Sequence, residues 1–184
     1  MRGVALAGLL VFAAGQVALA EDAAPYDPYA DLVISDDLSK LPQAVQDKRA
    51  ALIAVTKSGD IEGLRAIITA QKTPPQVSFG GPDDAIAYLK TESVDGTGLE
   101  TLAILRDMLE APYAMIGATS AEPSYVWPYL AVADVTTLTP GQMVDAYRLM
   151  PSDHVVDLAD MGGWYYWRVF IQPNGDWSAF VAGD

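Results

Sequence analysis

The sequence predicts an α+β fold built as one domain, and three observations carry that expectation. Apolar residues recur at helical spacing from Val45 to Leu109. Two aromatic and β-branched runs, 164–171 and 177–181, flank an Asn-Gly turn at the C-terminal end. Helices and strands do not alternate as they would in a βαβ protein. The chain has 184 residues, 51% of them hydrophobic and 19% charged, which suffices for one core and argues against global disorder.

Residues 1–20 read as a secretory signal peptide. Met1-Arg2-Gly3 carries one positive charge, Val4 opens an almost unbroken apolar run to Ala14, and Ala18-Leu19-Ala20 supplies the small-x-small pattern of a cleavage site. The uncharged stretch is interrupted by Gly8, Gly15 and Gln16, so a cleaved signal is expected over a retained anchor. Residues 21–38 are acidic, proline-containing and non-periodic, and are expected to be a flexible leader or an extended arm laid on the surface. The folded domain is expected over 39–184.

Within that domain Ser39 and Pro42 mark a helix start, and Val45, Leu52, Ile53 and Val55 recur on one side as far as Gly59. Asp60 then caps a second helix carrying Ile61, Leu64, Ile67 and Ile68, and the short linker predicts an antiparallel helical hairpin. Val77-Ser78-Phe79 is a short extended piece before the Gly80-Gly81-Pro82 turn. Asp83 or Asp84 caps the next helix, and the loop around Asp95-Gly96-Thr97-Gly98 opens another with Leu99, Leu102, Leu105 and Leu109. Twelve of the seventeen aromatic residues follow, from Tyr113 onward, including all four tryptophans. In Tyr125-Val126-Trp127-Pro128-Tyr129-Leu130 the proline argues against a central strand. Thr139-Pro140-Gly141-Gln142 is a capping box, and Ser152 can start a further short helix as far as Asp160.

The segment Ser58-Gly59-Asp60-Ile61-Glu62-Gly63-Leu64-Arg65-Ala66-Ile67-Ile68 resembles the second-helix start of an ankyrin-type repeat, but it occurs once, and such repeats must stack to be stable. It is read as a generic helical hairpin. Val77-Ser78-Phe79-Gly80-Gly81-Pro82, the runs 87–105 and 125–130, and the terminal run 177–184 together resemble uncharacterised exported proteins of Gram-negative bacteria, a family without assigned function. That resemblance implies a periplasmic location and a single domain, and it transfers no mechanism.

Composition limits the chemistry. A net charge of −13, moving to −14 when residues 1–20 are removed, argues against a nucleic-acid partner. The absence of cysteine excludes disulfides, thiol catalysis, thiolate zinc sites and an N-terminal lipidated cysteine. No metal or other cofactor is expected, because the chain has one histidine and no phosphate-loop spacing. His154 lacks a nucleophile elbow anywhere in the sequence and is read as a surface or cap-side residue. Asp153, Asp157 and Asp160 share one helix face and are read as a solvated acidic surface rather than a calcium site. Asp95 is the carboxylate that its Gly-rich loop singles out for chemistry, where an Asx turn is its simpler role.

On a regular strand 164–171, Trp164, Tyr166, Arg168 and Phe170 would face opposite to Tyr165, Trp167, Val169 and Ile171. Either both faces are buried, or Trp164, Tyr166 and Arg168, with Tyr125 and Trp127, form a platform that binds an envelope glycan or peptide. The expected function is a non-enzymatic binding or accessory protein of the cell envelope, with no membrane partner after signal removal. The alternatives are a carboxylate-based envelope hydrolase, and a structural or assembly partner that binds through the hairpin edge.

Overall fold

The structure, a computed structural model, describes residues 29, 31–120 and 123–183. Among these residues it is α+β, with six α-helices and a five-stranded antiparallel sheet in the order β1-β2-β3-β4-β5. The strands are β1 (Val33–Ser35), β2 (Tyr113–Ile116), β3 (Ser124–Trp127), β4 (Arg168–Ile171) and β5 (Trp177–Val181). Helices α1 (Gln43–Ser58), α2 (Gly63–Thr69), α3 (Ala85–Thr91) and α4 (Leu99–Glu110) are inserted between β1 and β2. Helices α5 (Pro140–Leu149) and α6 (Ser152–Met161) are inserted between β3 and β4. Among the described residues no helix is long and apolar enough to cross a membrane. The signal-peptide reading of 1–20 lies outside the described residues.

Local chemistry sets most helix ends. Gly59 closes α1 in the left-handed region at φ 71°, a conformation that costs glycine nothing. Asp84 caps α3 by accepting from the Ile86 and Ala87 amides at 2.9 and 3.1 Å. The capping box at α5 is complete: Gln142 N donates to Thr139 Oγ1 and Thr139 N donates to Gln142 Oε1. Arg49 on α1 donates from Nε to the Leu109 carbonyl at 2.9 Å, meeting one of the orphan acceptors at the end of α4.

The core joins Leu52 of α1, Leu64 of α2, Leu89 of α3 and Leu105 and Leu109 of α4 to the sheet residues Trp127, Val169, Trp177 and Phe180. Trp167 and Phe180 lie with ring centroids 4.4 Å apart, and Tyr113 and Trp127 at 5.5 Å. The hairpin turn closes with Gln172 N to Asp176 O at 2.9 Å and Gly175 N to Gln172 O at 2.8 Å.

Four expectations are corrected. The leader 21–38 contains an element: Val33–Ser35 pairs with β2 in the register Val33 to Met115, so this part is an edge strand. Ser39 does not cap α1; Asp37 caps a 3₁₀ turn over Leu38–Lys40, and α1 begins after Pro42 without a side-chain cap. Tyr125 to Trp127 does belong to the central strand of the sheet, because Pro128 lies one residue beyond its end and removes no ladder donor. The first hairpin strand begins at Arg168, not Trp164. Residues 164–167 fold on themselves instead: Trp164 Nε1 donates to the Trp167 carbonyl at 3.1 Å and Arg168 Nη1 to the Trp164 carbonyl at 3.2 Å.

Candidate functional site

The five residues expected to form an aromatic platform do not form one. Tyr125, Trp127 and Trp164 are 7%, 0% and 5% exposed and belong to the core, while Tyr166 and Arg168 are half-buried. The bend at Tyr166 is the physical reason, since the segment before Arg168 is not strand and both Trp164 and Trp167 are buried. Burial pushes the Tyr125 and Tyr166 phenols above their ordinary values, with nearby Tyr113 adding for the first and Glu100 and Asp107 for the second. Fixed, desolvated rings of this kind stabilise the fold and leave little surface for stacking on a sugar.

The hairpin edge is also covered. Gln71 mimics a strand with its side-chain amide, donating from Nε2 to the Trp177 carbonyl at 2.7 Å and accepting from Trp177 N at 3.1 Å. Gln76 continues the seal with its backbone, through Gln76 N to Ser178 O at 2.9 Å and Phe180 N to Gln76 O at 2.8 Å. A covered edge counts against binding by strand addition at β5.

The titratable residues singled out in the sequence are engaged in local structure. Asp95 accepts from Ser93 Oγ at 2.6 Å, Thr97 N at 2.7 Å, Glu100 N at 2.8 Å and Leu99 N at 3.3 Å, and also from Thr97 Oγ1. Glu100 reaches back to Val94 N at 2.6 Å. Together they cap α4, whose own N-cap is Gly98, a residue with no side chain to offer. The Ser93 and Thr97 hydroxyls, then the Glu100 amide, hold the Asp95 carboxyl far below the usual carboxylate range.

A depressed carboxylate contributes stability that is complete above the unfolded-state value and is lost as pH falls toward the folded-state value. Asp95→Asn is therefore expected to melt below the wild type at pH 7. The gap should close progressively below about pH 4, the ordinary aspartate range. Thermal melts from neutral to acidic pH check this, and a gap independent of pH would count against the capping role.

His154 packs its ring against Tyr165, stacked with centroids 5.7 Å apart, and edge-on to Tyr166 at 6.2 Å. Its Nδ1 is buried without a hydrogen-bond partner among the described residues. No serine or carboxylate is bonded to the ring among the described residues. Asp153, Asp157 and Asp160 all face solvent, and no group of three metal-ligating side chains gathers among the described residues.

A cleft of about 480 Å³ lies between α2, the loop running from Pro74 to Asp84 and the first turn of α3. Prolines 74, 75 and 82 stiffen its walls, and Ile68, Val77 and Ile86 give it an apolar floor. Arg65 stands at its rim in a chain of ion pairs that ties α2 to α3. Its Nε meets Glu62 at 2.9 Å, its Nη1 meets Asp84 at 3.2 Å, and Lys90 Nζ meets Glu62 at 2.6 Å. Lys90 and then Arg65 draw the Glu62 carboxyl below its ordinary value, and Asp84 is lowered first by the Ala87 amide. The guanidinium is thus held by two of its nitrogens, and Nη2 has no partner among the described residues. A fixed guanidinium above an apolar floor can take up a carbonyl or carboxylate while the floor takes a side chain.

Sequence reasoning left the α3 cap between Asp83 and Asp84, of which Asp84 serves, and put the glycine turn at 80–82, where the chain turns over 78–81 instead; it did not find this cleft. Only the Glu62–Arg65 spacing was visible locally; Arg65 and Asp84 meet through the tertiary fold. Comparison of the chain with protein-family models, with curated proteins and with solved structures finds no match.

Proposed function

We propose that the chain is an exported accessory protein of the cell envelope that binds a peptide in the cleft between α2, the 74–84 loop and the first turn of α3, without catalysing a reaction on it. The carrying observation is the cleft itself, with proline walls, an apolar floor and an Arg65 oriented by Glu62 and Asp84. A peptide suits it better than a glycan, because no aromatic ring lines the cleft to stack on a sugar. Engagement of Asp95 and His154 in capping and ring packing supports the non-catalytic reading. Export rests on the charge, apolar run and small-residue site within residues 1–20.

The test starts from the full chain expressed in a Gram-negative host. Intact mass of the protein recovered from the periplasmic fraction should correspond to a start at Glu21. Amide chemical shifts are then followed during titration with an array of envelope-protein peptides and with cell-wall glycan fragments. Peptides are expected to move Thr69, Ser78 and Asp83, and Arg65→Gln to weaken binding about tenfold, the order expected for one charged hydrogen bond. Shifts confined to other surfaces, or turnover of a peptide that is lost in Asp95→Ala or His154→Ala, would overturn the proposal.

A further inference from the structure

The two edges of the sheet are finished differently. Gln71 and Gln76 occupy the backbone of β5. Strand β1 pairs only with β2 among the described residues, and its backbone makes no hydrogen bond to any other element there. An open edge of this kind is a template for a further strand, which proteins normally blunt or cover. Both apolar side chains of the edge are exposed, Val33 at 46% and Ile34 at 45%.

The chemistry around that edge selects its occupant. Ile34 and Pro112 border a shallow depression of about 330 Å³ that also holds the carboxylates of Asp36 and Asp145. Asp145 is fixed there by Tyr129, whose hydroxyl donates to Oδ2 at 3.0 Å, with Arg148 at 3.5 Å from Oδ1. Asp36 is exposed and has no hydrogen-bond or ion-pair partner among the described residues. A second copy of the chain is a poor fit. Antiparallel self-pairing centred on Ile34 sets Asp31 opposite Asp37, and like charges facing across a strand pair are destabilising. The two copies would also repel each other through their strong net negative charge.

We infer that the β1 edge receives an extended segment of a protein partner, in which lysine or arginine alternates with apolar residues. The segment adds as a sixth strand beside β1. Its backbone pairs with the open row, its apolar side chains lie on the face of Val33, and its cations lie on the opposite face, where Ile34 and Asp36 border the depression with Asp145. This surface is separate from the Arg65 cleft, so either can fail alone.

The probes are two peptides added to the mature chain, one alternating lysine with valine and one with glutamate in place of lysine. The basic peptide is expected to bind, to slow amide exchange at residues 33–35, and to weaken as salt is raised. Asp36→Lys should reduce its affinity about tenfold and admit the acidic peptide, a reversal that loss of folding cannot produce. Arg65→Gln should leave both results unchanged. Equal binding of the two peptides, protection at residues other than 33–35, no binding, or dimerisation of the mature chain through β1 in sedimentation would each overturn the inference.

Discussion

Replacing Trp177 by alanine is expected to lower the free energy of unfolding by about 3–5 kcal/mol, the range for emptying a fully buried indole site. The side chain is wholly buried and lies in the cluster with Trp127 and Phe180. Its Nε1 also donates to the Ala179 carbonyl at 3.0 Å, so truncation removes packing and a hydrogen bond together. The cavity would open at the strand that Gln71 holds from outside, so Trp177 cannot be replaced by inward movement of β5 without breaking those two bonds. Urea unfolding should show a lower midpoint with an unchanged slope. Trp177→Phe should recover most of the loss. A midpoint equal to the wild type would contradict the placement of this ring in the core.

The second large effect is expected at Gly175, where alanine should cost about 2–5 kcal/mol by adding left-handed strain to a steric clash. Gly175 has φ 86° in the hairpin turn. A Cβ built there would stand 2.8 Å from the Ala44 carbonyl oxygen and 3.1 Å from its carbon, both backbone atoms in the first turn of α1. Backbone cannot swing aside as a flexible side chain does, so the turn or the helix must shift. Gly162 provides the control. It also has positive φ, at 71°, but nothing lies within 4 Å of its added Cβ. Gly162→Ala is therefore expected to cost only about 1 kcal/mol of strain. Equal losses in the two variants, measured by the same urea titration, would show that the α1 contact is not responsible.

The elements that the sequence made legible carry their signals locally. Gly59, Asp84 and the Thr139–Gln142 pair mark helix ends through bonds spanning a few residues, and Asn174-Gly175 marks the hairpin in the same way. The elements it concealed take their form from distant partners. Strands β1 and β2 are three and four residues long, too short to show a period of two, and exist because they pair with each other across the inserted helices. Pro128 misled for a related reason: its effect depends on which side of it the strand ends, a matter settled by packing. Aromatic composition left a buried hairpin and an exposed platform both open, because strand alternation through Trp164 to Trp167 cannot show the bend at Tyr166, where the Trp164 indole donates to the Trp167 carbonyl. The Arg65 cleft left almost no trace, since its charged residues look like an ordinary solvated helix face until α3 is brought beside α2.

Gln71 and Gln76 give this fold a timetable. They reach the final strand across most of the chain, and Gln71 bonds Trp177 over a separation of 106 residues. A ribosome delivers the polypeptide from its N-terminal end. The helices before Pro112 can therefore form early, but Leu52, Leu64 and Leu105 keep waiting for the other side of their core until β5 emerges. A nascent chain lacking residues 177–181 has no Trp177 or Phe180 to bury and no backbone for either glutamine to bind. The sheet is thus completed only after residues 177–181 have been made. That delay leaves the helices before Pro112 with only part of their core to pack against until β5 arrives.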